Sequence, residues 1–180
     1  MRKHFLVGIC LLLTISCFGQ GKIDSLVQVG IRYHDNGEYD KAIDTYKLAL
    51  KISPKSTVVN CEIALSYLYS GDNENTIKYS DFVIKQNQDN LLQAYIAKGS
   101  ALDNLGKTKE SIKLFNKALK VCGDDYLLYY NIGIDYSKIN DAKNAEDAFI
   151  KAIQNKSEHN SSHYSLGLLE SNIHNRVQSL

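Results

Sequence analysis

His159 and His163 stand four residues apart, a spacing at which two imidazoles on one helix face can hold a zinc ion. The surrounding sequence does not complete such a site. His159 falls in a polar connection between helical segments and His163 near the start of the next helix, so one face is not assured for both. Glu158 and His174 are the other available donors, and nothing in the pattern fixes either beside the pair. Other chemistry is no better supplied. The chain has no Gly-x-Ser-x-Gly elbow, no glycine-rich phosphate loop and no His-Glu-x-x-His pair. Asn155-Lys156-Ser157 and Asn160-Ser161-Ser162 match the glycosylation sequon by pattern alone. Enzyme activity therefore has no residue-level support, and the expectation is a noncatalytic chain with no cofactor and no metal.

The elements that would position these side chains follow a fixed period. A small residue recurs at Gly30, Ala64, Gly99, Gly133 and Gly167, in steps of 34, 35, 34 and 34 residues. Ala49, Val83, Ala118 and Ala152 repeat in the same steps, and Tyr46, Ser80, Phe115 and Phe149 run three residues ahead of them. Three registers in phase, at a period in this range, indicate a solenoid of stacked helical hairpins. A hairpin cannot bury its apolar face alone, so each must stack on its neighbours. Gly or Ala marks the point where two helices cross closely, and the aromatic residue fills the space beside it.

Local periodicity agrees. Ile23, Leu26, Val27, Gly30, Ile31 and Tyr33 follow the 3.6-residue repeat of an amphipathic helix. Asn36-Gly37-Glu38 reads as a helix-to-helix turn, with Gly71 and Gly106 at or next to the equivalent place. The spacing predicts helix pairs at 23–36 with 39–52, 57–70 with 73–86, 92–105 with 108–121, and 126–139 with 142–155. No useful alternating strand pattern occurs, so the expected class is all-α.

This arrangement resembles the tetratricopeptide repeat family. Gly30, Tyr33, Ala42, Tyr46, Ala49 and Pro54 carry the pattern in repeat one; Tyr95, Gly99, Leu102, Ser111, Phe115 and Ala118 in repeat three; and Tyr129, Gly133, Tyr136, Ala145, Phe149 and Ala152 in repeat four. Repeat two keeps Ala64, Tyr67 and Val83 but has Thr76 and Ser80 where Ala and an aromatic are usual. Its hairpin is expected to be the loosest. The resemblance implies a right-handed α-solenoid with repeats at 23–56, 57–90, 92–125 and 126–159, and a partial fifth at 160–180.

A separate segment precedes the repeats. Met1-Arg2-Lys3-His4 is a basic start, Phe5 to Ile15 an apolar run, and Cys17-Phe18-Gly19 a small-x-small cleavage signature. This is the layout of a secretory signal peptide over residues 1–19, with the cut expected between Gly19 and Gln20. The run is shorter than the ~20 residues that span a bilayer. The ending Phe-Gly-Gln resembles exported proteins of the Bacteroidetes group, a compositional hint, and with the leader the expected location is the periplasm or cell envelope. Lipoprotein processing at Cys17 is the competing reading, and only that route would bring the chain to a membrane. Thr14-Ile15-Ser16 lacks the aliphatic residue usual three places upstream of a lipidated cysteine.

Loss of Arg2 and Lys3 leaves 19 basic against 20 acidic residues, a net charge of −1. The lysines read as interleaved with acids along the helices, and no clustered basic face is expected, which argues against nucleic acid. Cys61 and Cys122 remain after processing. Their places in different helices argue against a disulfide between them, and Cys61 reads as a small buried apolar residue.

In the family that the repeats resemble, the first helices line a concave groove that takes peptides. Carried over by position, that groove comprises Val27 and Ile31 with His34 and Asp35; Val58, Cys61, Leu65, Leu68 and Tyr69; and Gln93, Ile96, Ser100, Asp103 and Asn104. Repeat four adds Leu127, Tyr130, Ile134, Ser137 and Lys138, and the partial fifth adds Tyr164 and Leu168. Members that grip a C-terminal carboxylate use Lys, Asn and Arg there. Here Val27 and Ile31 stand in the Lys and Asn places, and Gln93 and Ala97 replace the basic pair, so that clamp is absent. The groove reads as apolar with tyrosine edges, suited to a protein or peptide with hydrophobic anchors.

Leu166, Leu169, Ile173 and Val177 would leave an apolar edge on the fifth repeat, open to more chain or to self-association. The expected function is a noncatalytic protein–protein interaction scaffold of the bacterial envelope. The alternative is the N-terminal sensor or regulatory ectodomain of a longer membrane-bound protein or enzyme.

Overall fold

Turn chemistry divides the chain. Gly37 (φ 76°), Gly71 (φ 86°) and Gly106 (φ 74°) each close a hairpin in the left-handed conformation, where a Cβ is disfavoured. Asn140 (φ 61°) takes the same place in the fourth hairpin, since a short polar side chain tolerates that region. The helix starts are marked too. Ser56 accepts from Val59 N at 3.3 Å, Asp72 from Asn75 N at 3.0 Å, Asp125 from Leu127 N at 2.8 Å and Asp141 from Asn144 N at 3.3 Å, each satisfying an amide that the helix itself leaves open.

The computed structural model describes residues 21–178, with side chains described up to 171. The leader over 1–19, Cys17, and the side chains of Ile173, His174 and Val177 lie outside the described residues. Among those described, all regular structure is helical: α1 over 21–35, α2 Tyr39–Ile52, α3 Thr57–Ser70, α4 Asn73–Gln86, α5 Leu91–Asn104, α6 Thr108–Cys122, α7 Tyr126–Lys138, α8 Ala142–Asn155 and α9 Asn160–Gln178. The expected pairs are present, with their ends within about two residues of the expected positions. None of the described helices is long and apolar enough to cross a membrane.

The period has a direct steric cause. A Cβ built on Gly30 would lie 2.3 Å from Tyr46 Cε1, one on Gly99 2.2 Å from Phe115 Cζ, and one on Gly133 2.5 Å from Phe149 Cε1. Each ring is buried and lies against the bare backbone of the helix it crosses. The aromatic residue thus occupies the volume that a side chain on the glycine would need. Repeat two solves the same crossing differently, with Ala64 opposite Ser80. Ala64, Thr76, Ser80 and Val83 are all fully buried, so the hairpin expected to be loosest packs closed with small side chains. Thr76 Oγ1 returns its hydrogen bond to Asp72 O at 2.9 Å, while Ser80 Oγ finds no partner.

Gly167 differs from the other repeat glycines: nothing lies within 4 Å of a Cβ placed there. Gly167→Ala should therefore raise stability by about 0.5–1 kcal/mol through helix propensity alone. Gly133→Ala should lower it by about 1–3 kcal/mol through overpacking. Paired urea denaturation curves read the two signs, and equal losses would contradict this packing.

Helices stack in two layers. Consecutive helices pack along the whole series, and the first helices of successive hairpins also touch, α3 on α5, α5 on α7 and α7 on α9. No pair of second helices touches among the described residues. First helices therefore converge and second helices spread, which bends the stack and places the first helices on its inner side. The core runs between the layers. Tyr46, Val59 and Ile63 form its first part, Cys61, Val83 and Ala94 its middle, and Tyr95, Phe115, Leu128 and Ile132 its last.

Candidate protein-docking face

Residues four apart on a helix share a face. Val27 and Ile31, Leu65 and Tyr69, Tyr130 and Ile134, and Tyr164 and Leu168 are such pairs on α1, α3, α7 and α9, all first helices. The structure divides them by exposure. Tyr69 is 64% exposed, Tyr164 69% and Leu168 48%, so these three have surface free for a partner. Leu65, Tyr130 and Ile134 are half-buried. Val27 and Ile31 pack partly onto the Tyr46–Ile63 core, and Ile96 onto the Phe115 core, leaving each a partial outward surface.

Cys61 is corrected. It is only 2% exposed and packs with Val83 and Ala94. Burial pushes its thiol up to about 12, with Glu62 adding to the rise. It is the small buried apolar residue that its type suggested, and it offers a ligand no surface, so its place among the groove positions falls away. Cys61 and Cys122 are both free thiols, with Cys122 exposed.

One end of the face is an aromatic cluster that single-helix reasoning did not assemble. The His34 ring meets Tyr69 edge-on at 5.1 Å and Tyr39 at 5.3 Å, and Tyr39 stacks on Tyr69 at 6.0 Å. His34 Nδ1 lies 2.9 Å from Ser66 Oγ, tying α1 to α3. Burial lowers the His34 pKa, with Asp35 opposing. Tyr39 and Tyr69 open onto a recess of about 520 Å³ at the hairpin turn. Further along, Lys138 Nζ pairs with Asp103 Oδ2 across α5 and α7. Asn104 Nδ2 donates to Asn73 Oδ1 at 3.1 Å. These polar positions of the face are thus satisfied by their neighbours, and Lys138 is not a free cation for a ligand carboxylate.

The histidine pair does not converge on a metal. His159 sits between Tyr126 and Tyr130, at 4.9 and 5.0 Å, with Nδ1 2.6 Å from Ser162 Oγ. His163 Nε2 donates instead to Ser157 O at 2.8 Å. No cluster of three or more metal-ligating side chains occurs among the described residues.

Two segments of the chain, 23–56 and 92–125, match the tetratricopeptide repeat family model, with the boundaries that the spacing assigns to repeats one and three. These two segments are tetratricopeptide repeats. No curated protein matches its sequence. Among solved structures, it is similar to TTC0263, a thermophilic tetratricopeptide repeat protein of Thermus thermophilus. That pair shares 16% identity at a TM-score of 0.73 over 84% of this chain and 82% of that one. A MamA protein aligns with 21% identity and a TM-score of 0.68 over 87% and 85%. MamA from Desulfovibrio magneticus RS-1 aligns with 18% identity and a TM-score of 0.69 over 84% and 85%. At these identities the likeness shows the shared fold. Tetratricopeptide repeats place the chain among protein–protein interaction scaffolds.

The repeat protein also carries a feature that its composition hid. Lys109, Lys113, Lys117 and Lys120 stand at steps of four, four and three on α6, all exposed. The expectation that lysines are interleaved with acids fails on this helix, where Glu110 is the only acid. Net charge averages such a stripe away. Helical spacing applied to the lysines alone would have found it.

Proposed function

We propose that this tetratricopeptide repeat protein is a noncatalytic scaffold of the bacterial cell envelope that holds a partner peptide against its inner layer of first helices. The observation that carries the reading is the exposure of Tyr69, Tyr164 and Leu168 on the helices that converge. Large apolar and aromatic groups in a continuous layer supply contact area at little entropic cost. The half-buried Leu65, Tyr130 and Ile134 give the partner a partly dry floor.

A Tyr69→Ala, Leu168→Ala double variant should weaken the complex with the native partner by about a hundredfold, two anchors at ~1.4 kcal/mol each. Lys143→Ala, an exposed change on α8, should leave it unchanged. Equal affinity of both variants for the partner would sink the reading. Export is tested separately by intact mass. Protein recovered from the envelope should begin at Gln20, and a lipid-sized increment on a chain starting at Cys17 would replace the soluble form with an anchored one.

A further inference from the structure

The lysine stripe borders a groove that the inner face does not use. Lys109, Lys113, Lys117 and Lys120 line one side of a groove of about 560 Å³ between α6 and α7. Its apolar lining is Ile112 of α6 with Tyr136 of α7 and Ile139 just past the end of α7, and no acidic residue lines it. Ile139 follows Tyr130 by nine residues, about half a turn around the helix axis. The groove therefore opens on the side of α7 away from the inner face, onto the layer of second helices. Lys113 and Lys117 also flank a second groove of about 500 Å³ across α6, together with Leu102, Leu114 and Lys98. Lys98 is already held by Asp81 at 2.5 Å. None of the four stripe lysines has an ion-pair partner among the described residues.

We propose that the α6–α7 groove is a second docking site, for an acidic protein segment that carries apolar anchors. Like charges four residues apart on one helix repel, and Glu110 is the only acid of α6 set against four lysines, so the helix keeps an excess of cations that a row of carboxylates would neutralise. Lys109 to Lys120 span about 16 Å along the helix, room for a short segment to set several acids against them. The apolar floor decides between classes of anion. A nucleic-acid backbone would meet the lysines and leave Ile112, Tyr136 and Ile139 uncovered, whereas a peptide covers both. This site stands apart from the inner-face reading, and the two together would let one chain hold two partners.

A library of short random peptides displayed on phage, selected against the full chain, supplies the probe. The expected pool combines Asp or Glu with Leu, Ile or Phe, and binds Lys113→Glu, Lys117→Glu at least about tenfold more weakly than the native chain. It should bind Tyr69→Ala as well as it binds the native chain. Both lysines are exposed, and an unchanged circular dichroism spectrum confirms that the reversal leaves the fold intact. Addition of salt should weaken binding of the same pool. A pool with no acidic bias, or one indifferent to the lysine reversal, overturns the proposal. A pool lost with Tyr69→Ala alone overturns it too while supporting the inner face. Tighter binding of phosphatidylglycerol vesicles or of oligothymidine than of any acidic peptide would assign the stripe to a lipid or a nucleic acid and overturn it as well.

Discussion

Phe115→Ala is expected to destabilise the protein by about 4 kcal/mol, and Gly99→Ala by about 2 kcal/mol, yet the two together by less than Phe115→Ala alone. The ring is 1% exposed, with Cζ 2.2 Å from where a Gly99 Cβ would stand. Removing it empties a ring-sized space between α5 and α6 beside Tyr95 and Leu128. Adding the Cβ while the ring remains forces a displacement that its buried neighbours resist. With the ring gone, the Cβ enters free space and Ala regains its helix advantage over Gly of about 1 kcal/mol. The sign of Gly99→Ala should thus reverse between the two backgrounds. A double-mutant cycle by urea denaturation measures it, and additive losses would show that ring and glycine do not share one space.

Asp135→Asn is expected to stabilise the protein at pH ~8 by about 2 kcal/mol and to change it little at pH ~4. Asp135 is 2% exposed, and its Oδ2 has no hydrogen-bond partner. Burial pushes its carboxyl up to about 6; the nearby Ser111 hydroxyl and Lys138 pull it back in part, while Asp103 adds to the rise. A carboxyl whose folded pKa is raised holds its proton longer in the native state than in the unfolded chain. Stability is therefore greatest below the unfolded value near 3.8 and declines as pH rises through about 6, above which the penalty for the buried charge is complete. Glu62, also raised mainly by burial, acts in the same direction. The asparagine removes the charge and with it this part of the slope. Denaturation midpoints of both proteins across that window test the sign, and parallel curves would show that Asp135 remains ionised throughout.

Most of the fold was legible because the fold is itself periodic. Gly30, Gly99 and Gly133 announced the crossings, and the ring sixteen residues on from each proved to be the one that lies against it. Asn140 shows where the signal weakens, since it performs the job of Gly37 and carries no glycine to mark it. The docking face was only half legible. Helical spacing put Cys61 on the groove side of α3 while its residue type read as buried, and the packing of Val83 and Ala94 over it decides for burial. The His34–Tyr39–Tyr69 cluster joins three helices, so no single-helix pattern could assemble it. Asp135 was missed for a related reason. An acid in a helix reads as solvent-facing until the neighbours that bury it are known.

The central claim, that a partner lies along the inner layer of first helices, is tested most directly by site-specific photo-cross-linking in the native envelope. One probe replaces Tyr130 on α7 and a control probe replaces the exposed Lys143 on α8. The account predicts one discrete cross-linked protein from Tyr130 and none from Lys143. The same products from both positions, or none from either, would contradict it.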